Sequence, residues 1–395
     1  DVDTAVVSIS AVTTGSGEVV IEESDGVELK SVVAADGSIS VSAGGAMVAT
    51  RVESTTNSAG NDVTLETSAG GIQLVRVSVG ELGDVSVTSA GAITEDGNAA
   101  TVVSGGGLVL TAVGGIDVDT AVVSISAVAT GAGAVVIEES DGVNLESVVA
   151  ADGSINVSAG GDMVVTRVES TTSSAGNDVT LETSAGGVQL VSVSAGELGD
   201  VSVSSAGAIT EDGDAATVVS GGELSLGSVG GIDVDTAVGT ISATATGAGA
   251  IVIEESDGVE LKSVMASDGS ISVSAGGEMV ATRVESTTNS AGNDVTLETS
   301  TGGIQLVTVS AGELGDVSVT SAGAITEDGN AATVVSGGGL VLTAVGGIDV
   351  DTAVGAISAV TTGAGTIVIE ESDGVNLKSV VAADGSISVS AGGAM

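Results

Sequence analysis

The sequence contains no proline, cysteine, histidine, tryptophan, tyrosine or phenylalanine, and only 7 lysines and arginines among 395 residues. Each absence removes a class of chemistry. Without histidine, nucleophilic catalysis by a histidine base is impossible, and without histidine and cysteine there is no ligand set for zinc. Without cysteine there are no disulfides to mark the redox compartment, and a cysteine-free chain suits export in an unfolded state. A globular core of this size normally draws on aromatic rings, so a core limited to Val, Ile, Leu, Ala and Met must be narrow and uniform. Mean hydropathy is +0.53, yet apolar runs stop after about four residues, far short of the ~20 that a spanning helix needs, so no membrane insertion is expected. The 53 acids against 7 bases give a net charge of −46. Such a surface repels nucleic acid and anionic lipid and excludes both as partners.

What the chain does contain is itself, several times over. Asp-Val-Asp-Thr opens at Asp1 and returns at Asp117, Asp233 and Asp349, an offset of 116, and Gly80 to Ile116 recurs unchanged as Gly312 to Ile348. Self-similarity at a fixed period implies stacked, quasi-one-dimensional units. The expectation is therefore one continuous array over 1–395, with repeats 1–116, 117–232 and 233–348 and a partial repeat 349–395. Length alone would suggest two or three globular domains. The chain opens inside a repeat and stops at Met395, whose equivalents Met47, Met163 and Met279 sit mid-repeat, so it reads as a window on a longer array.

Within the repeat, short alternating segments begin at Val19, Ile39, Val63, Val85 and Leu108, and the next begins at Val135, with spacings of 20, 24, 22, 23 and 27. Five rungs per repeat are predicted. A second short strand follows most anchors at Val27-Glu28-Leu29, Ile72-Gln73-Leu74, Ile93 and Ile116-Asp117-Val118, usually after a glycine (Gly26, Gly71, Gly115) that lets the backbone turn a corner. A third Val-rich segment follows at Ser31 to Val33, Arg76 to Val79 and Ala99 to Val103. Period-two alternation sends Val19, Ile39, Val63, Val85 and Leu108 inward, with Ile21, Val41, Leu65, Val87 and Leu110 beside them, and leaves Ser40, Thr64 and Ser86 outside. Val and Ile dominate the apolar set and favour strands. The fold class predicted is all-β, a parallel β-solenoid with three strand faces per turn, rising roughly 24 Å per repeat from five rungs at ~4.8 Å. An array of Ig-like sandwiches would carry aromatic cores and proline turns. An α-solenoid would show period 3.6.

Gly37 to Gly45 (Gly-Ser-Ile-Ser-Val-Ser-Ala-Gly-Gly), Asp62 to Thr67 (Asp-Val-Thr-Leu-Glu-Thr) and Gly107 to Ile116 (Gly-Leu-Val-Leu-Thr-Ala-Val-Gly-Gly-Ile) resemble the β-helical shafts of filamentous-haemagglutinin-like adhesins and related giant bacterial exoproteins. The resemblance covers the whole chain. It implies a secreted or cell-surface bacterial filament whose shaft displays or spaces other parts.

Two acidic corners carry what chemistry the sequence offers. Glu22, Glu23 and Asp25 recur as Glu138, Glu139 and Asp141, again within Glu254 to Asp257 and within Glu370 to Asp373; Glu95 and Asp96 recur as Glu211 and Asp212 and as Glu327 and Asp328. Asp1 and Asp3, with copies Asp117 and Asp119, add a further pair. Ca²⁺ takes six to eight oxygens, and three carboxylates on one turn could supply part of that shell, which makes these residues the candidate metal ligands. The competing reading is a strand running into a polar Asp-Gly turn. Down one outward column the residues read Glu22, Ser42, Glu66, Thr88 and Thr111, so acids are not expected on every rung. That pattern favours charge spreading over a metal ladder.

Paired carboxylates also serve glycoside hydrolysis, but identical acids in every repeat, with no aromatic or basic sugar platform, speak against an enzyme. Threonine arrays bind ice on some solenoids, and no sustained Thr-x-Thr ladder occurs. Arg51, Arg167 and Arg283 sit near Glu53, Glu169 and Glu285, and Lys30 gives way to Glu146 in the second copy, a drift that suggests solubility rather than recognition. The function expected is structural: an extracellular shaft, with further copies of itself as partner through head-to-tail or lateral association. The alternative is an acidic Ca²⁺-binding module that cross-links extracellular matrix.

Overall fold

Valine and isoleucine alternating with serine and threonine give a strand one dry face, and a dry face must be covered. Here each strand is covered by the other sides of its own coil. The computed structural model describes the chain except residues 99–101, 214–217 and 331–333, and it divides into two compact units, Asp1–Ser202 and Val203–Met395. Each unit is a parallel β-solenoid. Every pairing is parallel, and the described residues contain no helix.

In the first unit, one side stacks Val19, Ile39, Val63, Val85 and Leu108 in register. The second stacks Val27, Met47, Ile72, Ile93 and Ile116. The third stacks Val32, Val52, Val77 and Val103. All fourteen are buried and point into the coil, whereas Thr64 and Glu66, flanking Leu65, are exposed. Of the third Val-rich segment expected over Ala99 to Val103, residues 99–101 lie outside the described residues, and Val103 is in the core. The second unit repeats the pattern, with Ile251, Ile271, Val295, Val317 and Leu340 on one side and Val259, Met279, Ile304, Ile325 and Ile348 on the next.

Five rungs are present in the repeat, and to them the structure adds one more face. Leu108 is followed in its column by Ile125, only 17 residues on, and Val135 stacks instead on Ile116, one side further round. Of the 27 residues between Leu108 and Val135, 17 complete the turn and the remaining ten build an extra side. The cause is the strand Ile116–Ala132, which runs 17 residues around the corners with no loop. The same step occurs twice in the second unit, where Leu224 meets Ile241 while Ile232 meets Ile251, and Leu340 meets Ile357 while Ile348 meets Ile367. One repeat is thus five turns and one side, rising ~26 Å rather than roughly 24 Å. Each junction also carries a β-bulge: Ile125 and Ser126 face Leu145 and Ser147, so Glu146 has no partner in the ladder, and Lys30 and Lys262 stand at the equivalent bulges.

Small residues close the corners. The Thr67 hydroxyl donates to the Gly70 carbonyl at 3.1 Å, and the Ser89 hydroxyl donates to the Ala92 carbonyl at the same distance. Gly44 and its copies Gly160, Gly276 and Gly392 pass so close to the carbonyls of Ser24, Ser140, Ser256 and Ser372 that a Cβ would collide with them. The longest excursion, 55–62, is pinned by Asn61, whose amide donates to Asp36 at 3.2 Å and to the Thr56 carbonyl at 3.0 Å; Asn177 and Asn293 repeat this.

Candidate functional site

The alternation that puts Val135 and Ile137 inside puts Glu139 inside too. Only 4 % of Glu139 is exposed, and its carboxylate is fully engaged. One oxygen accepts the Thr120 hydroxyl at 2.8 Å and the Val122 amide at 3.0 Å; the other accepts the Asp141 amide at 3.1 Å. Thr120 and Val122 belong to the loop-free junction strand at the point where it turns a corner and the Val122 N–H has left the ladder. Glu139 therefore supplies a side-chain acceptor where the backbone has none. Glu23, Glu255 and Glu371 do the same with Thr4, Thr236 and Thr352. For Glu23 the Thr4 hydroxyl, followed by the Val6 amide, holds the carboxyl below its ordinary value.

The candidate calcium ligands do not converge. At the first corner Glu22 and Asp25 are exposed on the outside while Glu23 faces inward, and Glu138, Glu139 and Asp141 divide in the same way. The rung above this corner carries the close-packed glycine pair Gly44-Gly45, whose second amide donates to the Asp25 carbonyl at 2.9 Å. At the second corner Glu95 and Asp96 accept the Gly97 and Asn98 amides at 2.8 and 3.0 Å, as in a polar turn. Glu211 and Asp212 occupy the equivalent turn. Among the described residues no three His, Cys, Asp or Glu side chains gather as a metal would require.

The strand pairing does bring together acids that are distant in sequence. Because Asp-Val-Asp-Thr lies directly beneath the acidic corner, Asp119 neighbours Glu138 in the ladder, with Ser158 and Glu182 on the next two rungs. They line a shallow groove of about 480 Å³. Asp3, Glu22, Ser42 and Glu66 line the copy at the start of the chain, and Asp235, Glu254, Ser274 and Glu298 line the one in the second unit. Asp119 and Glu138 therefore stack on consecutive rungs, while Ser158 separates Glu138 from Glu182 as the outward column predicts. Partial burial first, and then the charge on Glu95, raise the carboxyl of Asp117. Burial and then Glu95, Glu138, Asp117 and Asp96 raise Asp119. In the second unit burial and Asp233 raise Asp235, while burial and Asp235 raise Glu211 against the Gly213 amide. One oxygen of Glu211 is shielded from water and has no hydrogen-bond partner.

The bases stay apart from this cluster. Arg51, Arg167 and Arg283, each just before a short strand, pair with Glu53, Glu169 and Glu285 two residues on, and Lys262 reaches Glu223 at 2.8 Å. Both the inward glutamate and the acid ladder escaped the reading of the sequence. A signal for the first exists, since Val19-Val20-Ile21-Glu22-Glu23 keeps its alternation through Glu23. The ladder has none without the pairing of Ile116 with Val135. Comparison with protein-family models, curated proteins and solved structures returns no match.

Proposed function

We propose that the chain is a structural shaft, part of a very long secreted or cell-surface bacterial filament or adhesin, which provides reach and mechanical stability. The observation that supports this is the sameness of the coil: turn after turn buries the same aliphatic columns, and the polar side chains are spent on closing corners and spreading charge. Each fully buried Val or Ile contributes on the order of 1.5–3 kcal/mol. The parallel ladder shares load among all three sides of a turn. An acidic exterior keeps neighbouring shafts apart and soluble. The extracellular bacterial setting follows the resemblance of the repeats to adhesin shafts.

Chains carrying three, six and nine copies of the 116-residue repeat, imaged by negative stain, test the proposal. Contour length growing in proportion to copy number, by ~26 Å per repeat at ~4.8 Å per turn, is expected. Compact particles whose diameter grows only as the cube root of mass would refute it.

A further inference from the structure

Each repeat junction in the described residues places outward carboxylates on consecutive rungs with no base among them. In the first unit Asp117 and Asp119 of the junction strand are faced from below by Glu95 and Asp96, and from above by Glu138 and then Glu182. In the second unit Asp233 and Asp235 are faced by Glu211 and Asp212 below, and by Glu254 and then Glu298 above. Directly inside each cluster lies a buried glutamate, Glu139 or Glu255, one oxygen of which accepts from Thr120 and Val122 or from Thr236 and Val238. Neighbouring rungs are ~4.8 Å apart. Like charges at that spacing, partly withdrawn from water, oppose the stacking that holds the junction together.

We propose that the junctions around Asp117–Asp119 and Asp233–Asp235 are proton-responsive joints, in which stacked outward carboxylates loosen the coil at neutral pH and tighten it when the cluster takes up protons. Glu211 supplies an observation independent of the clustering. Its shielded oxygen lacks any donor, an arrangement that suits a neutral carboxyl and penalises an ionised one. The direction of the effect follows by linkage. Asp117, Asp119, Asp235 and Glu211 hold their protons more tightly in the folded chain than in the unfolded chain. The folded state therefore binds more protons in the window above the unfolded value, and stability rises as pH falls through that window. The inference is independent of the shaft reading, because it concerns only how strongly successive turns adhere.

The test is the thermal midpoint of the full chain from about pH 7.5 down to the unfolded carboxyl value, ~4, at constant ionic strength with chelator present. The cluster variant is Asp119→Asn with Asp235→Asn. The control is Glu81→Gln with Glu313→Gln, two exposed loop glutamates that remove the same charge elsewhere. The native chain should melt higher as pH falls. The cluster variant should already melt higher at neutral pH and gain less on acidification, while the control keeps the native slope. A native midpoint that is flat or falls over this range would overturn the proposal, as would equal flattening by both variants, which would assign the effect to net charge. A gain from added Ca²⁺ at neutral pH that is lost in the cluster variant would assign the cluster to a cation instead.

Discussion

At the scale of single residues, neighbouring positions have opposite fates. Val63 is fully buried and Thr64 is exposed. Val63→Asp places an unpaired charge in a dry aliphatic core and should cost about 3–5 kcal/mol, whereas Thr64→Asp should stay within about 0.5 kcal/mol. Chemical denaturation of the two variants checks this, and equal losses would reverse the assignment of faces. Glu23 makes the opposite point, a carboxylate that belongs inside because its acceptors are used. Its folded value is depressed, first by Thr4 and then by Val6. Its contribution is therefore present above the unfolded carboxyl value, ~4.3, and is lost as pH falls through the folded one. Amide exchange at Val6 should speed up relative to strand amides elsewhere in the chain as the solution is taken into that acid range. In Glu23→Gln that acid sensitivity should disappear.

At the scale of elements, the decisive piece is the junction strand. Ile116–Ala132 turns around the core without a loop, pairs with strands on both sides along most of its length, and sets which side of the coil the next repeat begins on. Two glycines inserted between Ser126 and Ala127 would displace every partner beyond them. The same pair between Ser58 and Ala59 lengthens the 55–62 excursion, whose far end Asn61 ties to Asp36 on the neighbouring rung. The loop insertion should cost less than about 1 kcal/mol, because closure entropy grows slowly with length. The strand insertion should lower the melting midpoint strongly, and comparable shifts would show that the junction is not a continuous strand. Most of this element's neighbours were legible beforehand. Strand positions and inward columns follow from period two, and corners follow from glycine. The misjudged part was the 27-residue interval, where the spacing alone cannot tell one long rung with a loop from one short rung plus a side.

At the scale of many turns, any cut through the coil bares an edge. Val2 and Val6 are 53 % and 44 % exposed, although their copies Val118 and Val122 are buried under a preceding turn. Ile387 is 47 % exposed, whereas its copy Ile155 is buried. Such turn ends combine bare aliphatic surface with unpaired backbone groups, the arrangement most prone to strand addition. These 395 residues, prepared alone, should therefore associate end to end, with mass rising as concentration rises. Light scattering across a dilution series decides the matter, and a strictly monomeric 37.0 kDa species at every concentration would refute it.

The sequence by itself determined the class of fold, its period, and the residues of its core. Those depend on local alternation and on copying, both of which can be read along a line. It also excluded whole chemistries through the residues it lacks. The tertiary structure decided what depends on which rung lies above which. Val135 stacks on Ile116 rather than continuing the column of Leu108, and from that single pairing follow the extra side in each repeat, the contact of Thr120 with Glu139, and the ladder that sets Asp119 beside Glu138. A carboxylate's neighbours along the chain are fixed by the order of residues, but its neighbours across a rung are fixed by how many residues the turn consumes. That number is set by whether the chain loops out or stays in the sheet, which is a property of the closed coil.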